Sequence, residues 1–311
     1  GDSYEAARSL DQYLTFNKAV DFFGKRKVEF GRTQMRSLHL IGEDGMYTNL
    51  AFLLSEQCTH MIKLAVFEGS KKSVFRDRQE LSGSLLNQME EAFNYIDRYN
   101  RTRAEFSGLD RLDMRDYPTE AIREALLNAI VHRDYSFSGA TLISIFEDRI
   151  EFVTIGGLVK GIALDDVMLG VSALRNQHLA NIFYRLRLIE AYGTGILKIK
   201  ECYDDYVVKP VIETTSNAFK ITLPNTNFHA EEQKVQNILR TGGTTSATKK
   251  EGRINTVLEL CRSKGFIVRS DIEMELGVSQ STAILLLREL TDEGVLIKKG
   301  RTKNLRYYEN K

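Results

Sequence analysis

Proline, cysteine and charge imbalance are all scarce in this chain of 311 residues. Three cysteines, Cys58, Cys202 and Cys261, lie far apart without a CxxC spacing. A disulfide framework and a zinc knuckle are therefore not expected, and a reducing cytoplasm is the simplest setting. The five histidines are scattered and no HExxH occurs, so no structural metal is expected. No run approaches the 18 apolar residues of a membrane span. No GxxxxGK[ST] occurs either, which removes the P-loop and with it a helicase motor. Lys plus Arg is 43 and Asp plus Glu is 42, a net charge of +1, so a uniformly basic nucleic-acid coat is excluded. A locally basic module is not, because an average hides asymmetry. With only three prolines, domain boundaries must be sought in composition. The stretch opens on Gly1 rather than Met and reads as trimmed from something longer.

What is present is an ordinary globular balance, 42% hydrophobic and 27% charged, at a length that fits two or three compact units. The clearest break runs from Asn225 to Gly252. Its charged stretch Glu231 to Arg240 could form a short helix, and Thr241 to Thr248 has almost nothing to bury. Before the break, Met61 to Phe67 predicts a buried strand and Glu80 to Tyr99 an amphipathic helix. Ile122 to Val131 predicts a stronger helix. Ala140 to Phe146 and Arg149 to Val153 flank Glu147-Asp148 as a hairpin, and Phe219 to Leu223 is another strand.

After the break, Ile254 to Cys261 has a helical apolar face. Ser270 suits the N-cap of a short helix ended by Gly277, and Ser279 that of a third helix with Ala283, Leu286, Leu287 and Leu290 inward. Val295 to Ile297 and Leu305 to Tyr308 then bracket a basic tip. This order is the plan of a winged helix-turn-helix. It would bring Ser279, Gln280, Ser281 and Thr282 to base edges or phosphates. Lys298, Lys299, Arg301, Lys303 and Arg306 would meet the DNA backbone, with no acid between Gly294 and Tyr308. Protein docking by the same unit stays open, and Tyr307 and Tyr308 suit packing within the wing.

The densest chemistry lies in Ile122 to Tyr135. On a helix, Glu124 and Asn128 share one stripe. The carboxamide can ligate a magnesium ion that bridges phosphates, and the carboxylate can orient or deprotonate a water. A solvated pair on an amphipathic helix is the alternative. His132, Arg133 and Asp134 follow, either as catalytic or phosphate-contacting groups or as anchors of a turn. Further on come Gly156-Gly157, Arg175-Asn176 and the turn Gly193-Thr194-Gly195. Glycine turns that open helices can cradle phosphate. Arg175 is a phosphate contact or a surface ion pair.

In this order the pieces resemble the GHKL ATPase superfamily of gyrase, Hsp90, histidine kinases and MutL. Glu120 to Tyr135, Asp148 to Leu158, Ser172 to Ala180 and Glu190 to Ile196 are more similar still to a bacterial family of transcriptional regulators with a "RecG-like C-terminal" core. Tyr47 to Tyr99 resembles the segment that joins this core to an upstream Schlafen-like AlbA domain. The resemblance implies an α+β fold, a GHKL (Bergerat)-like α/β sandwich followed by a winged helix. It implies a connecting region at 1–110, a nucleotide-binding core at 111–226, a linker at 227–252 and the DNA-binding unit at 253–311. It also implies ATP and Mg²⁺ as ligands, with Asn128 on the metal and Glu124 as base. His132, Asp134, Thr154, Gly156, Gly157, Arg175, Gly193, Thr194 and Gly195 would line the nucleotide site. Thr154 stands where the superfamily has an adenine-binding Asp, and a hydroxyl is a weaker acceptor. The expected function is a DNA-binding regulator with ATP–Mg as its signal. An ATPase with Glu124 as general base, or a non-hydrolysing scaffold with a protein-docking winged helix, are the alternatives. Paired half-sites point to a homodimer.

Overall fold

The computed structural model describes residues 3–107, 110–190, 193–229, 256–258, 260–276, 283–284, 287–288, 290–291, 294–299 and 306–310, with backbone alone for 105–107 and 110–112. The chain divides into two compact units, Gly1–Glu231 and Glu232–Lys311. The boundary expected at 110 falls inside the first. Residues 1–110 are not a unit of their own, because they supply two strands and four helices to the same layers.

The first unit is built on a six-stranded mixed sheet. Its strands are β1 (Ile62–Phe67), β2 (Phe75–Leu81), β5 (Thr141–Ile145), β6 (Arg149–Ile155), β7 (Val211–Thr214) and β8 (Ala218–Pro224). Their order is β2-β1-β5-β6-β8-β7, with β3 (Thr102–Ser107) and β4 (Asp110–Arg115) forming a separate hairpin. Only β1 and β5 run parallel; the other pairs are antiparallel. Register aligns one apolar row across five strands: Leu64, Ile143, Phe152, Ile221 and Ile212. All five are buried. The neighbouring row, Lys63, Leu142, Val153, Lys220 and Glu213, is more accessible, and alternation thus decides which face meets the helices.

The helices are α1 (Asn17–Lys25), α2 (Arg32–Ser37), α3 (Asn49–Leu54), α4 (Leu85–Tyr99), α5 (Thr119–Val131), α6 (Leu164–Met168), α7 (Gln177–Arg185) and α8 (Gly195–Glu201). The helix expected from Glu80 begins at Leu85 instead. Glu80 and Leu81 pair with Lys63 and Ile62, and Gly83, at φ 79, turns the chain between strand and helix. Helix α5 lies against β6 and β8 and is flanked by α4 and α8. It is therefore buried almost all round, which explains why Ala121, Ala125 and Ala129 recur along it. Burying one side chain such as Leu126 contributes about 2 kcal/mol.

In the second unit, residues 256–258 and 260–264 are helical, α9 spans Arg269–Leu276, and β9 (Leu296–Lys299) pairs antiparallel with β10 (Arg306–Glu309). Val257, Cys261, Ile267, Ile272, Ala283, Leu287, Leu290 and Leu296 make a separate small core. Gly265 and Gly294, both at φ 76, turn the chain after helical residues. The short helix expected over 231–240 lies outside the described residues, as does Leu286. No described helix is long and apolar enough to cross a membrane.

Candidate functional site

Helix α5 forms one wall of a cavity of about 430 Å³. Because this helix is packed on nearly every side, Glu124 is only 7% exposed although it faces the cavity. Its carboxylate pairs with Arg123, whose guanidinium also donates to the Leu188 carbonyl. Burial raises the proton affinity of Glu124, and the Arg123 and Lys198 cations pull it partly back. One turn later, Asn128 Nδ2 donates to the Glu124 carbonyl at 2.8 Å. That bond orients the carboxamide and leaves Oδ1 as its acceptor end.

The opposite wall is the turn Gly193-Thr194-Gly195, which opens α8. Gly193 sits at φ 66. A Cβ on Gly195 would lie 2.8 Å from Asn128 Nδ2 and 3.0 Å from Glu124 Oε2. The missing side chain is what lets this turn approach the two polar groups of α5. Lys198, one helical turn on, reaches the same cavity and holds Glu190 Oε1 at 2.8 Å, while Thr194 Oγ1 donates to Glu190 Oε2 at 3.4 Å. Glu190 and Lys198 therefore strap the glycine turn from both ends.

The third side is the end of β6. Gly156, at φ 103, lies against the Asp134 backbone, and a Cβ on Gly157 would run into the Thr215 carbonyl. Arg175 Nη2 donates to the Gly157 carbonyl at 3.0 Å and Nη1 to Asp134 Oδ2 at 3.1 Å. His132 lines the cavity floor. Loss of hydration, reinforced by the nearby Arg175 cation, pushes its pKa down to about 4. Asn176 Nδ2 donates to the Val131 and Arg133 carbonyls at 2.8 and 2.7 Å, bolting the start of α7 to the end of α5.

The cavity thus gathers Glu124, Asn128, His132, Gly156, Gly157, Arg175, Gly193, Thr194 and Gly195. Two of the expected nucleotide contacts lie off the cavity wall. Thr154 is buried beneath α5, where its hydroxyl donates to the Ala129 carbonyl at 3.1 Å and lies 3.5 Å from Thr141 Oγ1. It does not line the cavity, because period-two alternation turns it toward the helix layer. Asp134 is likewise off the wall, accepting from Arg175, from Ser136 Oγ at 2.6 Å and from the Ser136 amide at 3.0 Å. Arg133 anchors a turn: fully buried, it donates to the Thr141 hydroxyl at 3.2 Å and to the Met61 and Gly139 carbonyls. Lys198 and Glu190 join the cavity from outside the expected set of nucleotide contacts. Their signal was positional, since Lys198 stands three residues after Gly195 and so shares its helix face.

Of the residues expected on DNA, Ser279, Gln280, Ser281, Thr282, Arg301 and Lys303 lie outside the described residues. Lys298, Lys299 and Arg306 are exposed on the β9–β10 hairpin, where Arg306 pairs with Lys299 in register. The Arg306 guanidinium stacks 4.1 Å over the Phe266 ring. Tyr307 packs against the small core. Among the described residues no group of three or more His, Cys, Asp or Glu could hold a metal ion.

A mixed sheet layered with helices, with Glu124 and Asn128 of α5 facing a glycine turn across a cavity, is consistent with an ATPase-like α/β core. Comparison with known proteins agrees. A family model described as "Putative ATP-dependent DNA helicase recG C-terminal" matches residues 140–223. The matched segment starts after α5 and runs from β5 through β8, and it supports a GHKL-like ATP-binding core. No curated protein matches the chain. Among solved structures, the DIP2311 protein of Corynebacterium diphtheriae is similar, with a TM-score of 0.65 and 19% identity over 100% of this chain and 65% of that one. The chain thus spans about two thirds of that protein, and at this identity the likeness is one of fold.

Proposed function

We propose that the chain is a DNA-binding transcriptional regulator whose core takes Mg–ATP as its signal. The observation that carries the nucleotide reading is the close approach of Gly195 to Glu124 and Asn128 in one cavity. Glycine there brings the start of α8 against the two polar groups of α5, Arg175 and Lys198 supply positive charge on the wall, and Asn128 Oδ1 is the natural ligand for the cation. These donors fit a magnesium-bound triphosphate, and when bound the ion neutralises phosphate charge. Asn128 would hold the metal, the 193–195 turn would orient the phosphates, and Arg175 and His132 would border them. Thr154 gives adenine no acceptor. The test is a fluorescent ATP analogue titrated with and without Mg²⁺, in which Asn128→Ala abolishes the Mg-dependent part of the affinity.

One observation favours a second reading, ATP hydrolysis. A carboxylate on the cavity wall whose proton affinity is raised by burial is suited to accept a proton from water. Glu124→Gln keeps binding under either reading and removes turnover only under this one.

The DNA half of the proposal rests on the exposed Lys298, Lys299 and Arg306 of the hairpin and on the helical order before it, which suits a winged helix. A homodimer on paired half-sites follows from that reading. Each phosphate contact contributes a salt slope of about −0.9. Lys298→Ala with Lys299→Ala should therefore flatten the salt dependence of duplex binding by about two units, equally for specific and random sequences. An unchanged slope assigns the unit to protein docking instead.

A further inference from the structure

A second cavity, of about 350 Å³, lies between the turn that follows α2 and helix α7. His39 comes from the turn and His178 from the first turn of α7. Their rings are 4.2 Å apart between centroids and tilted by 37°. His39 has a left-handed backbone, φ 62, a conformation that costs free energy in any residue but glycine. It is held there by the Arg36 carbonyl on its amide, at 3.1 Å, and by the Thr48 hydroxyl on its carbonyl, at 2.8 Å. Strain and crossed hydrogen bonds thus set an exposed imidazole against its partner. The Nδ1 of His178 is buried and has no hydrogen-bond partner among the described residues.

Ser37, Leu38, Asn181, Tyr184 and Arg185 join the two histidines; all but Leu38 carry a hydrogen-bond donor, and no carboxylate lines the cavity among the described residues. Arg185 makes no ion pair among the described residues. The carboxylate packed near this end of α7 is Glu5, and both its oxygens are taken by the amides of His178 and Leu179, at 2.8 and 2.9 Å. A fixed guanidinium repels a metal cation and attracts an anion.

We infer that this cavity binds a small phosphomonoester, with its dianionic head between His39, His178 and Arg185. Arginine supplies a fixed charge and a fork that matches phosphate oxygens, while the imidazoles and the Asn181 amide complete the donor set. The volume exceeds what a bare phosphate fills, so the organic part of the ester lies along Tyr184. This site adjoins the α5 cavity, whose wall also includes Asn181 and Tyr184, but His39, His178 and Arg185 line the second cavity alone.

The test is a titration of the full chain followed by the histidine ring signals in NMR, with inorganic phosphate in one arm and glucose 6-phosphate in the other. His39 and His178 should shift together and saturate, while His132, on the wall of the first cavity, stays still. The ester should bind more tightly than inorganic phosphate. Arg185→Ala, at an exposed position, should weaken both by about tenfold, the usual scale of a charge-assisted phosphate contact. Three results overturn the inference: His39 and His178 unmoved at saturating ligand, His132 moving in their place, or Arg185→Ala binding as the unaltered chain does. Tight binding of inorganic phosphate with none of the ester overturns the phosphomonoester assignment.

Discussion

Two glycine pairs border the same cavity for different reasons. At the end of β6 the demand comes largely from backbone: a Cβ on Gly156 would press on the Asp134 Cβ and amide nitrogen, and one on Gly157 would strike the Thr215 carbonyl. At the 193–195 turn, Gly195 is required by side chains: its Cβ would press on Asn128 Nδ2 and Glu124 Oε2. The first pair closes the fold and the second shapes the site. A glycine motif is therefore evidence of ligand binding only where the atoms it makes room for belong to functional groups.

The largest effect should come from Gly157→Ala. Neither partner carbonyl can yield without moving the 215–216 loop, so stability should fall by about 3 kcal/mol, the upper end for overpacking. Chemical denaturation measures it, and a near-neutral result would erase the distinction between the pairs. Gly195→Ala should do the reverse. Stability should change little, while affinity for the Mg-bound nucleotide drops at least tenfold, about 1.4 kcal/mol, in an equilibrium titration.

Thr154→Val sharpens the contrast further. It removes a buried hydroxyl that bonds the Ala129 carbonyl and should cost about 1 kcal/mol of stability. Nucleotide affinity should stay the same, and a loss of affinity would return Thr154 to the site. The gentlest probe is pH. His132 and His60 are both pushed down to about 4, by loss of hydration first and then by an arginine, Arg175 for one and Arg133 for the other. The unfolded chain takes up these protons near pH 6.5 and the folded chain only near 4. Stability should therefore be full above about 6.5 and decline as pH falls toward 4. His132→Gln should shallow that decline, as read from thermal midpoints across pH.

Much of the fold was legible because periodicity is local. The 61–67, 140–146, 149–153 and 219–223 segments became β1, β5, β6 and β8, and 122–131 lies within α5. The start of α4 was not, since Leu81 satisfies both a helical stripe and the inward position opposite Ile62. Nor was it legible that the residues before 110 share the sheet of those after it, because the parallel pairing of β1 with β5 joins segments nearly eighty residues apart.

The Glu124–Asn128 stripe, the glycine turns and the basic hairpin were readable because each depends on spacing within a few residues. Which way Thr154 and Asp134 face, and that Lys198 strapped to Glu190 shares the cavity, was decided by tertiary structure alone. A strand offers two faces and a surface cation many partners. The choice is made by what packs against them: α5 over β6 for Thr154, Arg175 across the β6 end for Asp134, and the 193–195 turn drawing Glu190 and Lys198 together. The same holds for the His39–His178 cavity, whose halves lie 139 residues apart in sequence and meet only because α7 folds back beside the turn after α2.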